Sequence, residues 1–225
     1  MDETFRQYFG VSGERVWEAA ADTLYMVGLS LLLGTIIGVV LAVVLVLTRP
    51  DGIKPSRVLY QVLNVVINIL RSVPFIILMV FIMPLTKMIV GTRIGTTAAL
   101  VPLTLYIGPY LARLIETSML EVGNGIIEAA QSMGATTWQI VRRFLLPEAL
   151  ASIILALTTG TVGLVGATAM AGTVGGGGVG DLALTYGYQQ FNTPLMVLTV
   201  VVLIAFVQGI QSLGNTLARR RRTHQ

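Results

Sequence analysis

Apolar runs broken by short polar islands dominate the chain. Leu24 to Leu47 contains no charged residue and, as a helix, is long enough to cross about 30 Å of hydrocarbon. Four comparable runs follow, from Val58 to about Leu85, Gly95 to Ser118, Ala149 to about Gly172, and Leu195 to Leu217. The pattern predicts an all-α integral membrane protein with five transmembrane helices. Pro74 lies inside the second run, where it predicts a kink that neighbouring helices accommodate.

Polarity inside the runs adds detail. Ser30, Gly34, Gly38 and Ala42 recur four apart, a stripe of small residues on which another helix can pack closely. Gln61, Asn64, Asn68 and Arg71 form a polar stripe on a helix otherwise made of Val, Ile and Leu. Polar groups facing lipid are costly, so this stripe reads as a cavity-lining face, with snorkelling of Arg71 to water as the structural alternative. Met170 is the one long flexible side chain in the thin Ala167–Gly172 stretch, either core filler or a plug on a pathway. The Gly175–Gly180 run contains G-x-G-x-x-G, but without βαβ context it reads as a flexible outer loop and not a nucleotide site.

The island at 124–147 differs from its surroundings. Ile126, Ala129, Ala130 and Met133 have the spacing of one apolar helix face. Asn124 is a fair N-cap, Gly134 is placed to end the helix in a left-handed residue, and Thr136 with Gln139 reads as a capping box for a second helix. Pro147 is expected to open the fourth span. Either a partner protein or the chain's own domain could cover the apolar face.

Composition agrees with the membrane reading: the 225 residues are 54% hydrophobic and 12% charged, against about 25% charged in soluble domains. The acidic first 22 residues do not suit a signal peptide. With no cysteine and His224 as the single histidine, no His/Cys metal site is expected, and no cofactor. No P-loop lysine motif occurs, so the chain is not expected to hydrolyse ATP by that route. No Asp or Glu lies well inside the spans, which argues against a proton-coupled carrier, and no membrane serine has a base to make a protease. The arginine run 219–222 directly follows a span and reads as a surface anchor, not a nucleic-acid site. The distribution of Arg and Lys favours the N-terminus outside and the C-terminus in the cytoplasm.

Glu128-Ala129-Ala130, Gly134 and Leu146-Pro147 resemble the EAA loop of ABC importer permeases. RSVPFIIL, VPLTLYIGPYLAR, IVRRFLLPEAL and TAMAGTVGGGGVG are similar to segments of the methionine-type permeases, so the likeness runs from the first span through the fifth. The resemblance implies the ABC type-1 permease fold working as a homodimer in the bacterial inner membrane. It also implies two cytoplasmic ABC ATPase subunits and an extracytoplasmic substrate-binding protein or lipoprotein as partners, beside the lipid bilayer. Residues 1–19 would be extracytoplasmic, 20–217 the transmembrane domain and 218–225 a basic cytoplasmic tail.

In that frame Ile126, Glu128, Ala129, Ala130, Met133, Gly134 and Pro147 are the expected ATPase-coupling residues. Asn64, Asn68, Arg71 and Met170 are the candidates for pathway or gate. Methionine rests on the resemblance alone, and no catalytic residue is expected. Importers of another amino acid or small polar solute, and a membrane scaffold without transport, remain as alternatives.

Overall fold

The computed structural model describes residues 2–222, and all regular structure among them is helical. The basic tail expected at 218–225 lies partly outside the described residues, as do His224 and Met1. In order, the helices are α1 (Asp2–Phe9), α2 (Gly13–Thr48), α3 (Arg57–Ser72), α4 (Phe75–Phe81), α5 (Met83–Val90), α6 (Thr96–Leu120), α7 (Asn124–Ser132), α8 (Thr137–Ile140), α9 (Leu146–Gly172), α10 (Gly178–Asp181) and α11 (Thr193–Arg222). Four helical stretches are long and apolar enough to cross a membrane, or five when α3 and α4 count as one broken crossing.

The expected kink at Pro74 is a full break, with α3 and α4 meeting at 103°. Pro74 lacks an N–H and disfavours helical geometry at Val73, so α3 stops at Ser72 and a new helix starts at Phe75. A correction concerns Pro147, which does not open the fourth span. Helix runs without interruption from Thr137 to Gly172, and a π turn at Val141–Leu145 lies just before the proline. Pro147 can give no N–H to the carbonyl four residues back; the wider turn lets Leu146 N–H bond Val141 O instead.

Contacts divide the chain into two compact units. The first comprises residues 1–33, 73–106 and 161–210. Ala19, Val179 and Leu182 are buried together in it, with Val16, Tyr186 and Leu203 packed around them. Here the glycine run proves to be packed structure and not a flexible loop. A Cβ on Gly180 would lie 2.2 Å from Ala169 Cα, so only glycine permits that approach. The buried Val179 N–H donates to the Thr23 hydroxyl at 2.9 Å.

The second unit comprises residues 34–72, 107–160 and 211–225. Leu45, Ile67 and Ala112 form its buried centre, with Leu41, Tyr60 and Leu63 against them. The small-residue stripe of α2 packs there on α6. A Cβ on Gly34 would meet Ile107 Cγ2 at 2.2 Å, and one on Gly38 would meet Leu111 Cβ at 2.9 Å. Backbones approach this closely only where side chains are absent, and dispersion then acts along the whole seam.

Candidate functional site: a jointed surface segment and a polar helix face

The segment 124–147 lies in the second unit and is built by local backbone chemistry. Gly123, extended at φ −60 and ψ 131, is the N-cap of α7, so Asn124 sits one position later than expected and caps nothing with its side chain. The helix ends in a Schellman motif: Gly134 is left-handed at φ +77, Ala135 N–H reaches Ala130 O at 3.0 Å, and Gly134 N–H reaches Gln131 O at 2.9 Å. The capping box follows at once. Gln139 N–H donates to Thr136 Oγ1 at 3.3 Å and Thr136 N–H to Gln139 Oε1 at 2.8 Å. Two helix ends are thus closed within a few residues, which makes the segment a defined corner.

The apolar face of α7 divides. Ala130 is fully buried and Ile127 half-buried, so this side is covered by the chain itself. Ile126, Ala129 and Met133 turn outward, with Met133 71% exposed, and Trp138 on α8 is 66% exposed. Glu128 is exposed at the rim of a cleft of about 340 Å³ lined by Arg49, Asp51, Ile53, Met119, Gln131 and Leu145. Arg142 and Arg143 are exposed on the π turn, whereas Val141 and Leu145 beside them are buried. Large apolar side chains held out on a rigid corner leave a surface that a partner can cover.

The polar stripe of α3 meets a charged pair on α6, Arg113 and Glu116. Arg113 on α6 donates through Nη1 to Glu116 Oε2 at 2.6 Å and through Nη2 to Asn64 Oδ1 at 2.6 Å, with Asn68 Oδ1 at 3.4 Å. Glu116 is 3% exposed, so the carboxylate is buried and neutralised by the guanidinium. The Arg113–Glu116 spacing was visible in the sequence; their link to Asn64 was not, because it joins residues 49 apart. Arg71 stands outside this network, its guanidinium carbon 5.9 Å from the centre of the Tyr110 ring.

Met170 belongs to the first unit and is 49% exposed, so it is not filler in the core of this chain. Among the described residues no group of three or more His, Cys, Asp or Glu side chains could hold a metal ion.

Residues 34–223 match the family model described as the binding-protein-dependent transport system inner membrane component. A probable D-methionine transport system permease protein of Vibrio cholerae is 51% identical over 217 residues, covering 96% of each chain. The methionine import system permease protein of Bacillus subtilis is 39% identical over 214 residues, covering 95% of this chain and 96% of that one. Among solved structures, an inward-facing form of the MetNI methionine ABC transporter superposes with a TM-score of 0.91 at 42% identity, covering 94% of this chain and 99% of that chain. An amino-acid ABC transporter crystallised with histidines shares the fold at a TM-score of 0.77 and 19% identity. With the end of α2 and all of α3 to α11 inside the matched region, the chain belongs to the binding-protein-dependent transport system inner membrane components and has the fold of an ABC type-1 permease.

Proposed function

We propose that this chain is the permease subunit of an ATP-driven importer and forms, with a second copy of itself, the pathway by which methionine enters the cell. Two cytoplasmic ATPase subunits supply the energy, and an external binding protein delivers the substrate. The observation that carries the mechanical part is the divided face of α7: Ala130 anchors the segment to its own unit while Ile126, Ala129 and Met133 remain outside it. An element fixed on one side and apolar on the other is suited to sit in a groove of a moving partner.

In this mechanism ATP binding draws the ATPases together, and their grooves carry the two α7 segments with them. Gly134 and the capping box keep the angle between α7 and α8, so the displacement passes into the continuous Thr137–Gly172 helix instead of being lost in a slack loop. The two permeases rock outward to take substrate, and hydrolysis resets them. The positive residues of the loops and tail favour a cytoplasmic C-terminus and an external N-terminus, with α7 on the ATPase side.

Site-specific crosslinking tests the joint. A cysteine at Glu128 or Ala129, both exposed, is expected to join to the ATPase subunit with a yield that changes on ATP binding. No crosslink to that subunit at either position, in a complex that imports labelled methionine, would remove the proposed role of α7. Failure of the complete complex to import L- or D-methionine while importing another solute would reassign the substrate.

A further inference from the structure

We infer that Arg71 is the point at which the permease holds the carboxylate of an amino-acid substrate in transit. The inference rests on the importer reading above and adds a binding residue to it. Arg71 lies in the last turn of the sixteen-residue α3, about 20 Å of helix rise beyond Arg57. That distance is too great for a side chain to snorkel back to the surface near Arg57. A charge so deep in a spanning segment requires an anion or water, and its presence is in itself a reason to look for function.

Two arginines border the same face of the second unit, and their surroundings differ. Arg113 is neutralised: Glu116 holds one nitrogen at 2.6 Å and Asn64 another at 2.6 Å. Arg71 is exposed, and among the described residues no carboxylate meets it; its neighbour is the Tyr110 ring at 5.9 Å, a distance at which the π face attracts but does not neutralise. Asn68, one turn back on the stripe, directs only its Oδ1 toward Arg113, which leaves the amide NH2 free to donate. Ser72 is already committed, its hydroxyl bonded to the carbonyls of Asn68 and Ile69 at 2.9 Å.

The geometry also separates this group from lipid. Val58, Val62, Val65 and Ile69 form the exposed apolar stripe of α3, and the stripe that ends in Arg71 lies about 100° around the helix from it. A planar guanidinium with a nearby amide donor matches a carboxylate, which a zwitterionic amino acid always carries. The methionine side chain, apolar and flexible, needs no such fixed partner.

The test uses the complete complex in proteoliposomes, with labelled L-methionine uptake and ATP hydrolysis measured in parallel. Arg71→Gln is expected to lower uptake at least about tenfold, the loss of one charge-assisted contact, while binding-protein-stimulated ATP hydrolysis persists; Arg71→Lys keeps the charge without the planar fork and is expected to fall between wild type and the Gln variant. ATP hydrolysis that persists in the Gln variant shows it folded and assembled, so its loss of uptake reports on the substrate contact. Wild-type uptake by Arg71→Gln overturns the inference, and so does a Lys variant as inactive as the Gln variant. Wild-type complex that imports neither methionine nor any other amino acid defeats the importer reading and this assignment together, whereas normal import by the variants defeats the assignment alone.

Discussion

Removing Glu116 without removing Arg113 is expected to be among the most damaging single changes in the second unit. The Glu116 side chain is 4% exposed and that of Arg113 24%, and their contact is 2.6 Å. Glu116→Leu leaves a mostly desolvated guanidinium with two neutral acceptors, Asn64 at 2.6 Å and Asn68 at 3.4 Å. Stripping a buried charge of its counter-ion costs about 3 kcal/mol. For a chain of this size about 3 kcal/mol corresponds to a fall of roughly 6–12 °C in apparent Tm.

Arg113→Met is expected to cost about as much, because it strands the carboxylate in turn. The double variant removes both charges and leaves chiefly the Asn64 amide without its partner, about 1 kcal/mol, so its apparent Tm is expected only about 2–4 °C below wild type. The measurement is retention of monodisperse permease in the purified complex after stepwise heating, for the two single variants and the double. Additive losses in the double variant would refute the claim that these side chains stabilise each other, since independent sites add and coupled ones do not.

Three further outcomes follow from the packing and the corner. Gly38→Leu forces a side chain against Leu111, whose Cβ would be 2.9 Å from the new Cβ, and is expected to destabilise by at least about 1–3 kcal/mol, read as a lower apparent Tm. Gly134→Ala places a Cβ on a residue at φ +77 with open space around it, so the cost is conformational, about 1–2 kcal/mol, and weaker coupling of ATP hydrolysis to uptake should accompany it. Met133→Asp changes a residue that is 71% exposed; apparent Tm is expected to stay within about 0.5 kcal/mol equivalent of wild type while co-purification of the ATPase subunit falls.

Much of this molecule was legible in the chain because its signals are local. A run such as Leu24–Leu47 is apolar enough to demand a membrane whatever lies beside it, and Gly134 and the Thr136–Gln139 pair shape the corner through bonds that span only a few residues. Helical period also showed that Gly34 and Gly38 share a face and that Asn64, Asn68 and Arg71 share another. What a face meets is a different quantity, decided by residues far away in sequence. Only the folded chain divided the apolar side of α7 into a buried Ala130 and an outward Met133, joined Asn64 to Arg113 and left Arg71 apart. Folding likewise turned the glycine run into a seam against Ala169, because glycine permits both a slack loop and the tightest packing, and the neighbour selects between them. Periodicity places a side chain on a surface, while burial and charge pairing depend on which other surface the chain brings to it.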